Sequence, residues 1–99
     1  MNAKAKIAID RIIKQYKPQE IILFGSRVSK QHRVDSDYDF IIIKNTRRRF
    51  VRRALDLPDV DIEADFFIYT PAEYEKMKKT GNLFLLSALK NHKVLYSKK

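Results

Sequence analysis

The sequence predicts a mixed α/β (α+β) chain with a small mixed sheet of three to four strands flanked by helices, and three observations predict it. An apolar pattern of helical period opens the chain. Short continuous apolar runs follow it at Ile21–Phe24, Phe40–Ile43 and Phe66–Tyr69, the signature of strands covered on both faces. A capping box at Thr70-Pro71-Ala72-Glu73 then announces a return to helix.

Taken in order, Ile9, Ile12, Ile13 and Tyr16 recur at helical spacing between polar residues, so residues 3 to 16 form an amphipathic helix that Pro18 ends. The run Ile21–Phe24, stopped by Gly25, belongs in the centre of a sheet. Between the second and third runs, Phe50, Val51, Ala54 and Leu55 make two i,i+4 apolar pairs while Arg48, Arg49, Arg52 and Arg53 make two basic ones. That pattern predicts a helix with one basic face and Phe50 in the core. Pro71 sits at a first helical position, where a missing N–H costs nothing, and Gly81 closes that helix. Leu83–Leu89 supplies a further apolar helix, Val94-Leu95-Tyr96 a short edge strand, and Lys98-Lys99 a tail.

With 99 residues, one domain spanning 1–99 and one site are expected. Charged residues at 33% and hydrophobic residues at 44% fit a folded chain and exclude compositional disorder. No apolar run is long enough to span a bilayer and Met1 to Lys14 alternates charged with apolar residues, so no membrane association and a cytoplasmic location are expected. Without cysteine, disulfides and thiolate chemistry are excluded, and a metal must be held by oxygen or by His32 and His92. The net charge of +9 favours polyanionic or acidic partners without choosing among them.

The informative stretch is Gly25-Ser26-Arg27 followed by Asp37-Tyr38-Asp39, with ten residues between Ser26 and Asp37. In an extended segment alternate side chains share a face, so Asp37 and Asp39 project together while Tyr38 faces the core side. Two adjacent carboxylates repel unless a cation takes oxygens from both; Mg²⁺ suits them, because it binds one or two carboxylates plus phosphate oxygens. Gly25 permits a tight turn, and the N–H groups opening the next segment, with the Ser26 hydroxyl, favour phosphate. Arg27 and Arg33 add charge toward a triphosphate, and His32 lies in the intervening loop. Asp65 opens the third apolar run as Asp39 opens the second, so strand pairing would bring it alongside. Two metal ions bridged by Asp37, Asp39 and Asp65 would serve an in-line displacement, with Asp65 as general base and Asp61 and Glu63 as rivals for its place.

The stretch GSRVSKQHRVDSDYDF resembles the signature of minimal (MNT-type) nucleotidyltransferases of the DNA polymerase β-like superfamily. ADFFIYTPAEYEKMKK is similar to that family's third-strand Asp, strand and following helix, and KVLYSKK to its last strand. Lys30 departs from a position where glycine is common, and Tyr38 from one where a small aliphatic residue is common. The resemblance implies a polymerase β-like fold, an NTP such as ATP as substrate, Mg²⁺ as cofactor, and roles for Gly25, Ser26, Asp37, Asp39 and Asp65. It further implies an antitoxin that adenylylates a tyrosine of a HEPN-domain toxin, touching RNA only through that partner in a hetero-oligomer. Two other readings are a module that neutralises a partner by docking alone, and an RNA-binding protein acting through the arginine helix.

Overall fold

The computed structural model describes residues 1–28 and 37–98. The first helix, α1, covers Ala3–Tyr16. Asn2 caps it, its side chain accepting a 2.8 Å hydrogen bond from the Ala5 N–H. Lys17 ends it in the left-handed region at φ 55°, and the buried Pro18 prevents continuation. Ala5, Ala8, Ile9, Ile12 and Tyr16 form its buried stripe, the face that the apolar period predicts.

Four strands, β1 (Glu20–Phe24), β2 (Tyr38–Ile43), β3 (Ala64–Tyr69) and β4 (His92–Ser97), form one sheet in the order β3-β2-β1-β4. β1 runs antiparallel to both β2 and β4, while β2 and β3 are parallel. The sheet is therefore mixed, with β1 central as expected and β4 on one edge. Helices α2 (Pro71–Lys79) and α3 (Leu83–Leu89) connect β3 to β4. The capping box forms in full: Thr70 Oγ1 accepts from the Glu73 N–H at 3.2 Å, and Glu73 accepts from the Thr70 N–H at 2.8 Å. Gly81, at φ 69°, turns the chain out of α2. No helix among the described residues is long and apolar enough to cross a membrane.

Strand alternation divides the core. Ile21, Leu23, Tyr38, Phe40 and Ile42 pack with α1 on one face of the sheet. Ile22, Phe24, Ile41 and Ile43 pack with Tyr74 of α2 and Leu85 and Ala88 of α3 on the other. Asp39 lies between Tyr38 and Phe40 in sequence, so it shares the α2/α3 face with Ile41 and Ile43.

The segment between β2 and β3 corrects the expected helix with one basic face. Phe50–Asp56 is a seven-residue 3-10 helix, and Arg48 and Arg49 precede it. With three residues per turn, the i,i+4 pairs that suggested two stripes do not align. Phe50, Val51 and Leu55 are exposed, and Phe50 stacks on Tyr69 with ring centroids 5.4 Å apart rather than entering the core. Arg53 instead is buried, at 5% exposure. The reason is its set of acceptors. Arg53 donates to the Ile68 carbonyl (2.9 Å) on the outer side of edge strand β3, to the Arg48 carbonyl (2.9 Å), and through two nitrogens to Glu73 (2.6 and 3.1 Å).

This pairing lowers the Glu73 carboxyl pKa from 4.5 to about 2, chiefly through the Arg53 hydrogen bond and then the Thr70 backbone N–H, against an opposing effect of burial. A carboxyl whose folded pKa is depressed adds stability that is full above its unfolded value and is lost as pH falls through the folded one. The Arg53 contribution is therefore expected to fade between pH 4.5 and 2. Glu73 keeps 43% of its side chain exposed, so screening limits this part to about 1–2 kcal/mol. Urea titration should show Arg53→Met about 2–3 kcal/mol less stable than the wild type at pH 7. The gap should narrow by pH 3; an unchanged gap would mean that the ion pair adds nothing beyond packing.

Candidate functional site

The antiparallel register sets Phe24 opposite Asp39, and the parallel register sets Asp39 opposite Asp65. Side chains at paired positions share a face, so Phe24, Asp39 and Asp65 form one row across three strands at the N-terminal ends of β2 and β3. Register also separates the three acids by position. Asp61 pairs with Lys4 of α1 at 3.5 Å, and Glu63 precedes β3, giving its carbonyl to the Tyr38 N–H at 3.1 Å. Asp65 alone of the three is the register partner of Asp39.

Gly25 follows β1 directly and starts a 3-10 turn, Gly25–Arg27, with φ 79°. A Cβ at this position would lie 2.7 Å from Asp39 Oδ2. The glycine thus serves two ends: it takes a backbone conformation that other residues resist, and it leaves room for the Asp39 carboxylate. Sequence reasoning reached the turn but not this contact, because the contact joins residues fourteen positions apart across two strands.

The carboxylates influence one another. Burial pushes the Asp39 carboxyl pKa up, and the charges of Asp65 and then Asp37 push it further in the same direction. Among the described residues, no ion pair reaches Asp37, Asp39 or Asp65. Nor do three His, Asp or Glu side chains close into a ready metal cage among those residues. What the described residues supply is a row and a shared negative field. Oxygen donors, a shared negative field and the space kept open by Gly25 together fit a hard divalent cation.

Arg27 makes a contact beyond the one expected of it. Its guanidinium carbon lies 4.3 Å from the centroid of the Tyr38 ring, a cation–π contact, and Tyr38 packs on the α1 side of β2, away from Asp39. Tyr38 itself is buried, as expected, and stacks on Phe40 at 5.8 Å. The Ser26 side chain and residues Lys30, His32 and Arg33 lie outside the described ones.

A glycine turn ending one strand, an Asp-x-Asp opening its antiparallel neighbour and a third Asp in parallel register lie together at one end of the sheet. A family model for polymerase beta, nucleotidyltransferase, matches residues 8–99. The chain belongs to the polymerase beta nucleotidyltransferase family. No curated protein and no solved structure matches it. The matched span of this nucleotidyltransferase takes in every strand and each of Gly25, Asp37, Asp39 and Asp65. Family membership supports a nucleotidyltransferase-type activity, and the four-stranded mixed sheet with its helices is consistent with the fold of that domain.

Proposed function

We propose that residues 1–99 form one minimal nucleotidyltransferase domain that acts in the cytoplasm and moves AMP from ATP to a protein hydroxyl, as the antitoxin of a HEPN-domain toxin. The observation that carries the chemistry is the Asp39–Asp65 parallel register beside the Gly25 turn. Asp37, Asp39 and Asp65 would hold Mg²⁺, which when bound offsets triphosphate charge and stabilises the departing pyrophosphate. The backbone N–H groups at the Gly25–Arg27 turn donate to the outer phosphates. Asp65, exposed at the edge of the row, accepts the proton of the acceptor hydroxyl as its oxygen forms the bond to the α-phosphorus. The bond to pyrophosphate breaks in the same displacement, so one P–O bond replaces another.

The partner assignment rests on the family resemblance, and a surface suited to it lies at the other end of the sheet. Val51 (83% exposed) and Leu55 (69%) stand among the exposed Arg47, Arg49 and Arg52, four residues along β3 from Asp65 and beyond. This surface favours docking as a second reading, in which binding alone silences the partner. An RNA-binding role through the arginine helix is weakened, because Arg53 is withdrawn into the protein.

Incubation of the purified chain with α-labelled ATP, Mg²⁺ and its HEPN-domain partner is expected to label the partner on a tyrosine. Absence of label under any divalent cation would overturn the transfer reading. A double Asp37→Asn, Asp39→Asn variant that still silences the partner would establish docking in its place.

A further inference from the structure

The geometry points to Phe84 as the surface on which the base of a purine nucleotide stacks; the inference rests on the nucleotidyltransferase reading and names what selects its substrate. Phe84 stands in the first turn of α3, away from the acidic motifs in sequence, and its position in the fold ties it to them. Its ring meets Phe24 edge-on, with centroids 5.7 Å apart at 87°, and meets Phe67 at 5.0 Å. Phe24 is the register partner of Asp39, and Phe67 lies two residues beyond Asp65 on β3. Residues two apart along a strand share a face about 7 Å apart. The Phe84 ring is therefore held over the sheet face that carries the carboxylates, by the side chains that border them.

Two features suit the ring to a base. It is fixed at its underside by two aromatic partners, so little rotamer freedom remains to be lost on binding. Yet it keeps 37% of its surface exposed, whereas Phe24 beneath it keeps 8%. A ring both anchored and open next to a phosphate-binding turn offers the base the apolar contact that the carboxylate row cannot. The ribose of a nucleotide lies between its α-phosphate and its base, and Phe24 lies likewise between Asp39 and Phe84 on this face. Stacking area then sets the order of the bases, with purines above pyrimidines and little distinction between ATP and GTP.

Calorimetric binding of Mg·ATP, Mg·GTP, Mg·CTP and Mg·tripolyphosphate to the full chain tests this. The wild type is expected to bind ATP and GTP about tenfold more tightly than tripolyphosphate, with CTP between. Phe84→Leu retains the apolar contact with Phe24 and Phe67, so it is expected to fold, and should bind all four with the affinity of tripolyphosphate. Phe84→Trp should restore the purine advantage. The proposal is overturned if Phe84→Leu keeps the wild-type preference, or if it loses tripolyphosphate and ATP affinity together. A wild type that binds none of the four overturns the nucleotidyltransferase reading itself, a result distinct from either of those.

Discussion

Asp39→Asn is expected to abolish nucleotidyl transfer while leaving the protein at least as stable as the wild type. The two effects share one cause. Asp39 is partly buried in a negative field, where burial, Asp65 and Asp37 all oppose its charge. Asparagine keeps the shape and removes the charge, relieving that repulsion in the metal-free protein. The same charge is what a divalent cation needs, so its removal should lower the transfer rate at least about a thousandfold, equivalent to about 4 kcal/mol of transition-state stabilisation. A third readout separates metal holding from chemistry: Mg²⁺ should raise the melting temperature of the wild type and not that of Asp39→Asn. Glu63→Gln, changing an acid outside β3, serves as control and should retain near-normal transfer. Transfer by Asp39→Asn within tenfold of the wild type would remove Asp39 from the machinery.

The elements governed by local chemistry were legible from the sequence. Helix α1 has the bounds 3 to 16 because its apolar period, the Asn2 cap and Pro18 all act within a few residues. The same holds for α2, where Thr70, Pro71 and Glu73 define a start whatever the rest of the chain does. The acidic residues were legible through alternation, which put Tyr38 into the core and Asp39 on the opposite face. What escaped depends on partners distant in sequence. Arg53 looked like one of four exposed arginines because Glu73, twenty positions later, is what draws it inward. Phe84 looked like part of an apolar helix face, and only the ring contacts to Phe24 and Phe67 connect it with the site. Arg27 has a neighbour that its sequence position does not disclose, the Tyr38 ring on the α1 side of β2. In each case the residue type was visible and the competing neighbour was not.

Gly25→Ala should separate the two demands made on that glycine, with Gly81→Ala as its counterpart. Both glycines have positive φ, 79° and 69°, so an alanine at either costs about 1–2 kcal/mol of backbone strain. Their surroundings differ. A Cβ at Gly81 meets nothing within 4 Å, whereas a Cβ at Gly25 lies 2.7 Å from Asp39 Oδ2. Gly81→Ala should therefore lower stability in urea titration and leave transfer intact. In Gly25→Ala the carboxylate must move, since a carboxylate at the end of a side chain yields more readily than two paired strands. Stability should fall by a similar amount, but transfer should fall about a hundredfold or more, as misplacement by an ångström does at a catalytic centre. A double-mutant cycle completes the case: added to Asp39→Asn, Gly25→Ala should cost little further activity, because both act on the same oxygen. Equal transfer rates in Gly25→Ala and Gly81→Ala would show that the close approach to Asp39 has no part in the reaction.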